Sequence, residues 1–257
     1  MRRRLLIPLA ASLALASSLA ACSSEEGAGA EAGEKELTVL AAASLTETFT
    51  ALGEEFEKTH DGVDVTFAFD SSATLAAQAV EGAPADVLAT ADLRTMDDAV
   101  AGGAIDGDPQ TFATNVMTLV VPADNPAGIS SFADLDKPGV DYVLCVETAP
   151  CGVVGAALIA DGGITADPAS LEVDVKAVLA KVASGEADAG LVYVTDATAA
   201  GADVVSIEIP GAETQLLEYP IGVLEQTGDD DLAAEFIELV LSDEGRRVLA
   251  DAGFGAP

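Results

Sequence analysis

Apolar residues occur along this chain in two patterns, short continuous runs typical of buried strands and the helical spacing typical of amphipathic helices. The run LTVL at 37–40 predicts a buried strand. Directly after it, apolar residues recur at helical spacing, at Leu45, Phe49, Leu52 and Phe56. The same succession repeats at 63–80 and at 86–100. Alternating strands and helices predict an α/β fold built on parallel or mostly parallel sheets.

A second α/β unit is predicted after a long apolar run at 115–121. Its expected elements are a strand at 141–146, a helix at 152–159, a helix capped by Asp174, strands at 189–194, 204–209 and 215–223, and helices at 232–240 and 245–250. We interpret the run at 115–121 and the last of these strands as connections out of the first unit and back into it. Two lobes are therefore expected, 37–120 plus 221–257 and 121–220.

Two of the predicted strand-to-helix junctions contain small residues and a serine, namely AAAS at 41–44 and DSS at 70–72. Ser44 has Glu47 three residues later, as in a capping box, so it could simply cap a helix, and Ser72 allows the same interpretation. The functional interpretation uses the same geometry. Small side chains let a ligand approach the backbone, and free N–H groups at the start of a helix attract an anion.

The N-terminus has the pattern of an export signal. Three arginines precede an apolar stretch at 5–19, which is short and rich in small residues for a membrane span, and the stretch ends in LAAC. This resembles a lipoprotein signal. The resemblance implies removal of 1–21, lipid on Cys22, and an exported protein anchored by that lipid on the outer face of the cell membrane. Residues 22–36 are rich in Glu, Gly and Ala, and we expect a flexible linker there.

The 257-residue chain is strongly acidic, with 44 acidic and 11 basic residues and a formal net charge of −33. This charge argues against nucleic acid and anionic membrane surfaces as partners. It does not argue against a small anion, because aligned N–H donors act at contact while distant surface charge is screened beyond about 8–10 Å. The acidic residues lack metal-ligand spacing, so no metal site is predicted.

Beyond Cys22 the sequence has only Cys145 and Cys151. In an exported protein this close spacing favours a disulfide that clamps a loop. The alternative is a nucleophilic Cys151, activated by the helix that follows it. A serine or cysteine hydrolase would need a base, but the sole histidine, His60, lies in another unit, and no G-x-S-x-G motif is present. We therefore expect neither catalysis nor a cofactor.

Five segments together resemble the molybdate-binding proteins of bacterial ABC uptake systems, in order and spacing. They are AAASLT at 41–46, SSATL at 71–75, GAPADV at 82–87, PCG at 150–152 and GLVY at 190–193. The resemblance runs from about residue 37 to the C-terminus. It implies a two-lobed periplasmic binding protein fold of the second type, with a mixed, mostly parallel sheet in each lobe and crossing strands between them. It also implies a monomer that binds molybdate or tungstate between the lobes and delivers it to an ABC permease.

The same resemblance implies a site made of neutral donors. Ser44 and Ser72 would each donate through the hydroxyl and the backbone N–H. Cys151 and Val175 would donate through the backbone N–H, and Tyr193 through its hydroxyl. No lysine or arginine occurs in the five segments, so hydroxyls, N–H groups and helix N-termini would have to balance the charge of the anion.

Two residues depart from the pattern of that family. Asp70 precedes the serine pair, where a carboxylate facing the ligand would repel it, so we expect its side chain to point away. Val154 replaces an aromatic residue that often follows the glycine of the proline motif. A receptor for sulfate, phosphate or another small solute is the alternative function, and a hydrolase is a more distant one.

Overall fold

The computed structural model describes residues 35–257. The expected signal peptide at 1–21, the lipidation site Cys22 and the linker up to residue 34 lie outside the described residues. Within 35–257, no helix combines the length and the apolar character that crossing a membrane requires. The strands are β1 (Lys35–Ala42), β2 (Val63–Asp70), β3 (Val87–Ala89), β4 (Ile105–Asn115), β5 (Met117–Pro122), β6 (Tyr142–Cys145), β7 (Ser170–Glu172), β8 (Ala189–Tyr193), β9 (Val204–Ile207) and β10 (Leu217–Leu224). The α-helices are α1 (Thr46–Thr59), α2 (Ser72–Val80), α3 (Leu93–Ala101), α4 (Pro150–Asp161), α5 (Val175–Ala183), α6 (Val194–Ala200), α7 (Asp230–Leu241) and α8 (Asp243–Asp251).

The strands form two separate five-stranded sheets, in the orders β2-β1-β3-β10-β4 and β7-β6-β8-β5-β9. In the first sheet β1 pairs in parallel with β2 and β3, while β10 runs antiparallel to β3 and β4. The second sheet repeats this plan, with β6 parallel to β7 and β8, and β5 antiparallel to β8 and β9. Two mixed sheets flanked by helices confirm the expected fold class.

The chain crosses between the sheets twice. β4 ends in the first sheet and β5 begins in the second, so the first change of sheet falls at Val116. The second change falls between β9 and β10. The lobe boundaries expected from the sequence, 37–120 plus 221–257 and 121–220, remain a prediction, and their crossing points lie inside β5 and β10.

In the first lobe, an aromatic cluster packs α1, which lies early in the described chain, against α7, which lies near its end. The ring of Phe49 on α1 lies 5.7 Å from that of Phe112 on β4 and 6.0 Å from that of Phe236 on α7. Phe56, two helical turns later on α1, also packs against Phe236, with ring centroids 5.5 Å apart. Buried aromatic side chains contribute large apolar areas, so these contacts fix α1 and α7 against the first sheet. The start of α1 is thereby held in place at the site described next.

Candidate functional site

A small cavity lies where elements of both sheets meet. The segments that line it are 42–44, 70–72, Ala91, 149–151, 174–175 and Tyr193. They include all the residues to which the sequence assigned a ligand role, which are Ser44, Ser72, Cys151, Val175 and Tyr193. Residues spread over most of the chain are thus brought to one cavity.

Ser44 lies in a single 3-10 turn between β1 and α1. In the described structure no side chain caps this turn or α1, whose N-cap residue is Leu45, so the capping interpretation of Ser44 is wrong. The side chain is buried, and its Oγ lies 3.0 Å from the Oη of Tyr219. The hydroxyl is therefore held by a residue of a crossing strand and not by its own helix.

Ser72 is the first residue of α2, and it too does not cap its helix; the N-cap position belongs to Ser71. The Ser72 Oγ accepts a hydrogen bond of 2.9 Å from the backbone N–H of Ala91, so its own hydrogen is available to a ligand. Asp70, which we expected to point away, also lines the cavity. One of its carboxylate oxygens accepts the N–H of Ser71 at 2.6 Å.

The Cys151 N–H is presented by a loop that a disulfide closes. Cys145 at the end of β6 is bonded to Cys151 in the first turn of α4, with a Cα–Cα distance of 5.7 Å. The bond excludes a thiolate at Cys151. Gly152 is needed beside it, because a β-carbon there would lie 1.9 Å from the carbonyl oxygen of Val146. As an N–H of the first helical turn, that of Cys151 has no intrahelical acceptor and is free for a ligand.

Val175 opens α5, and the structure confirms the predicted cap, since the Asp174 carboxylate accepts the N–H of Ala177 at 2.8 Å. The Val175 side chain is buried, while its N–H belongs to the free first turn of the helix. α5 lies close to β8 because Gly190 has no side chain. A β-carbon at Gly190 would lie 2.7 Å from Val178 of this helix.

Tyr193 ends β8 and is 1% exposed. Among residues 35–257, its hydroxyl oxygen has no hydrogen-bond partner. Burial, reinforced by the nearby Tyr219 and Asp196, raises the pKa of Tyr193 well above its usual value. The hydroxyl therefore keeps its proton and can donate it. A buried polar group without a partner is costly, and a ligand in the cavity would supply the missing acceptor.

The sequence analysis did not identify a buried charge pair next to Tyr193. The carboxylate of Asp196 is fully buried, accepts the N–H of Tyr193 at 3.2 Å, and lies 3.2 Å from the ammonium group of Lys176. Burial raises the pKa of Asp196 to about 6, although Lys176 opposes the shift. Lys176 also contacts both carboxylate oxygens of Glu47 at 2.8 Å, which links α5 to α1.

The sequence analysis also missed a set of hydrogen-bonded side chains around Tyr219. The Asn115 Nδ2 donates to the Thr195 Oγ1 at 2.9 Å and to the Tyr219 Oη at 3.3 Å. The Asn115 Oδ1 accepts the N–H of Val116 at 3.0 Å. Over the part of the chain that the structure describes, no group of three or more His, Cys, Asp and Glu side chains is arranged to hold a metal ion.

Two mixed α/β lobes with a small cavity between them, lined by helix N-termini from both, define a binding protein of the second periplasmic type. The chain belongs to the family of bacterial extracellular solute-binding proteins, whose sequence profile matches residues 37–255. Membership of an extracellular family implies export.

The chain is 42% identical over 247 residues to the molybdate-binding protein ModA of Mycobacterium tuberculosis, covering 95% of each. Among solved structures, the periplasmic molybdate-binding protein of Azotobacter vinelandii matches with a TM-score of 0.74 at 20% identity, over 86% of this chain and 99% of that one. The sulfate-binding protein SubI of Mycobacterium tuberculosis also matches with a TM-score of 0.74, at 21% identity over 86% of both chains. At these identities the structural likeness shows the fold alone.

Proposed function

We propose that the protein captures molybdate, and with it tungstate, in this cavity and delivers the anion to an ABC permease. The observation that carries the proposal is that Tyr193, a residue of the cavity lining, has a buried hydroxyl with no hydrogen-bond partner among residues 35–257. The 42% identity to a protein named for molybdate binding supports the choice of ligand.

In this proposal the ligand is held by neutral donors alone. Ser44 and Ser72 contribute hydroxyl and backbone N–H groups, Cys151 and Val175 contribute backbone N–H groups, and Tyr193 contributes its hydroxyl. Such donors suit a fully deprotonated tetrahedral dianion. A protonated phosphate would bring a hydrogen that none of these donor groups accepts, and leaving it unpaired would cost about 1–3 kcal/mol. The Asp70 carboxylate, which also lines the cavity, is bonded to the Ser71 N–H. Selection against sulfate then depends on the size of the cavity.

Release to the permease requires the lobes to separate, which we assign to a hinge at the two crossings, Val116 and the segment before β10. We further propose that the protein acts as a monomer without a cofactor and without enzymatic activity. Lipid on Cys22 would keep it at the outer face of the membrane, near its permease.

A receptor for sulfate or phosphate is the second candidate, because SubI matches this fold with the same TM-score as a molybdate-binding protein does. Thermal unfolding with each anion separates the two. A ligand at 100 times its dissociation constant stabilises the folded state by about 2.7 kcal/mol. We expect molybdate and tungstate to raise the melting temperature strongly, sulfate weakly and phosphate hardly at all at neutral pH. Stabilisation by phosphate equal to that by molybdate would favour the second candidate.

A further inference from the structure

A series of buried hydrogen bonds leads from the backbone at Val116 to the cavity. It passes from the Val116 N–H to Asn115, from Asn115 to Tyr219, and from Tyr219 to Ser44, over distances of 3.0, 3.3 and 3.0 Å. We call the three side chains the Ser44 network. Each is at most 4% exposed, so water does not compete for these bonds.

The direction of each bond in the Ser44 network follows from its first member. The Asn115 carbonyl oxygen accepts the Val116 N–H, so its NH₂ group faces the other way and can only donate. One of its hydrogens is directed to Thr195 and the other to Tyr219. The Tyr219 oxygen is therefore an acceptor from Asn115.

The hydroxyl hydrogen of Tyr219 then has one possible acceptor among residues 35–257, the Ser44 oxygen. Within residues 35–257 its hydroxyl bonds only to Asn115 and Ser44, and Asn115 offers no acceptor there. If Ser44 donated to Tyr219, the tyrosine hydrogen would stay buried without an acceptor, which is the costly arrangement. Tyr219 therefore donates to the Ser44 oxygen. Burial raises the pKa of Tyr219, so its proton is retained.

We propose that Asn115 and Tyr219 are positioning residues that make the Ser44 hydroxyl a donor toward the bound anion. Because the Ser44 oxygen accepts from Tyr219, its own hydrogen is left for the cavity. The Ala91 N–H has the same effect on Ser72 in one step. This inference rests on the proposed function, and it explains how two hydroxyls, each able to donate or accept, both face an acceptor-only ligand as donors.

The test is a double-mutant cycle in which titration calorimetry measures molybdate binding. Tyr219→Phe keeps the ring and removes the hydrogen that orients Ser44. We expect it to raise the dissociation constant roughly tenfold, the value of one buried hydrogen bond. In the Ser44→Ala background, Tyr219→Phe should have no further effect. The same fold-change in both backgrounds, or no change in either, would overturn the proposal.

Tyr142→Phe is the matched control. It removes a buried tyrosine hydroxyl that donates to the Ala166 carbonyl at 2.6 Å, away from the cavity. We expect this variant to bind molybdate as the parent does. If it weakens binding as much as Tyr219→Phe, the loss at Tyr219 reflects general loosening and the inference fails.

Asn115→Asp tests the direction of the bonds. A carboxylate there would accept from Tyr219, which would then accept from Ser44 and turn the serine hydrogen away from the ligand. We expect a larger fold-loss of molybdate binding in the parent than in the Ser44→Ala background, where only the added charge acts; equal losses would contradict the inference. If the unaltered protein does not bind molybdate, the proposed function itself fails.

Discussion

A substitution at Tyr193 should weaken ligand binding without lowering the stability of the ligand-free protein. Tyr193→Phe removes a buried hydroxyl that has no partner in the described structure, so we expect the free energy of unfolding of the ligand-free protein to stay the same or rise. The affinity for molybdate should fall by roughly 1–3 kcal/mol, because one donor to the anion is lost. Calorimetry and urea unfolding measure the two quantities separately.

Tyr142→Phe should show the opposite pattern. Its hydroxyl has a partner at 2.6 Å, so losing it should lower the free energy of unfolding by about 1 kcal/mol and leave molybdate binding unchanged. If Tyr193→Phe instead destabilised the protein while binding molybdate normally, its hydroxyl would have a structural role and no ligand role.

The sequence could identify single residues only where a local pattern carried them. Ser44 and Ser72 stand at predicted strand-to-helix junctions, and the resemblance to molybdate-binding proteins is what assigned ligand roles to them and to Tyr193. Tyr219 was not found, because its contact with Ser44 spans 175 positions. Asn115 bonds to Thr195 across 80 positions, and no periodicity in a sequence marks such a pair.

Among the secondary-structure elements, the start of α4 is the most sensitive to added volume. Gly152→Ala would place a methyl group 1.9 Å from the Val146 carbonyl oxygen, so the disulfide-closed loop must shift. We expect a loss of about 1–3 kcal/mol in stability, as for overpacked sites, together with weaker molybdate binding through the displaced Cys151 N–H. Gly155→Ala, in the same helix, is the control, since its methyl group would meet only ordinary contacts at 3.7 Å or more. Equal behaviour of the two variants would contradict this account.

The start of α6 should make stability depend on pH through Asp196. Its pKa is about 6 in the folded protein, against an ordinary value of 3.8 for an aspartate in water, so folding favours the protonated form. The contribution of Asp196 to stability is therefore most favourable below pH 3.8 and is lost as the pH rises through 6. Relative to Asp196→Asn, the parent should lose on the order of 3 kcal/mol over this range. Urea unfolding of both proteins at a series of pH values measures the difference, and a constant difference would refute the prediction.

The elements that the sequence did not predict correctly have weak local patterns. β4 begins with exposed polar residues and contains Pro109, which is tolerated because β4 is an edge strand. The sequence analysis assigned no strand between residues 101 and 114 and so missed most of β4. β7 is only three residues long, and it too was missed. β1 starts at Lys35, two residues earlier than expected, because it pairs with β2 from Val63 onward.

For the whole molecule, the order of strands and helices predicted two α/β lobes, but the places where the chain crosses between the sheets depend on pairing that only the folded chain shows. Besides the buried bond from Asn115 to Thr195, two polar contacts at the surface join the lobes in this structure. Lys176 binds Glu47, and the Arg94 guanidinium donates to the Thr148 carbonyl at 2.9 Å. The Glu47 and Arg94 side chains are about half exposed, at 53% and 46%, so these two contacts contribute little to closure. Donors from both lobes around one anion would then supply most of the closing free energy.

The central claim is that both lobes bind molybdate through neutral donors, and titration calorimetry of the ligand-free protein at neutral pH tests it most directly. We predict saturable binding of one molybdate per chain, much weaker binding of sulfate and almost none of phosphate. Ser72→Ala should weaken molybdate binding by roughly 1–3 kcal/mol. Absence of molybdate binding, phosphate binding of equal strength, or a Ser72→Ala variant that binds molybdate as the parent does would contradict the claim.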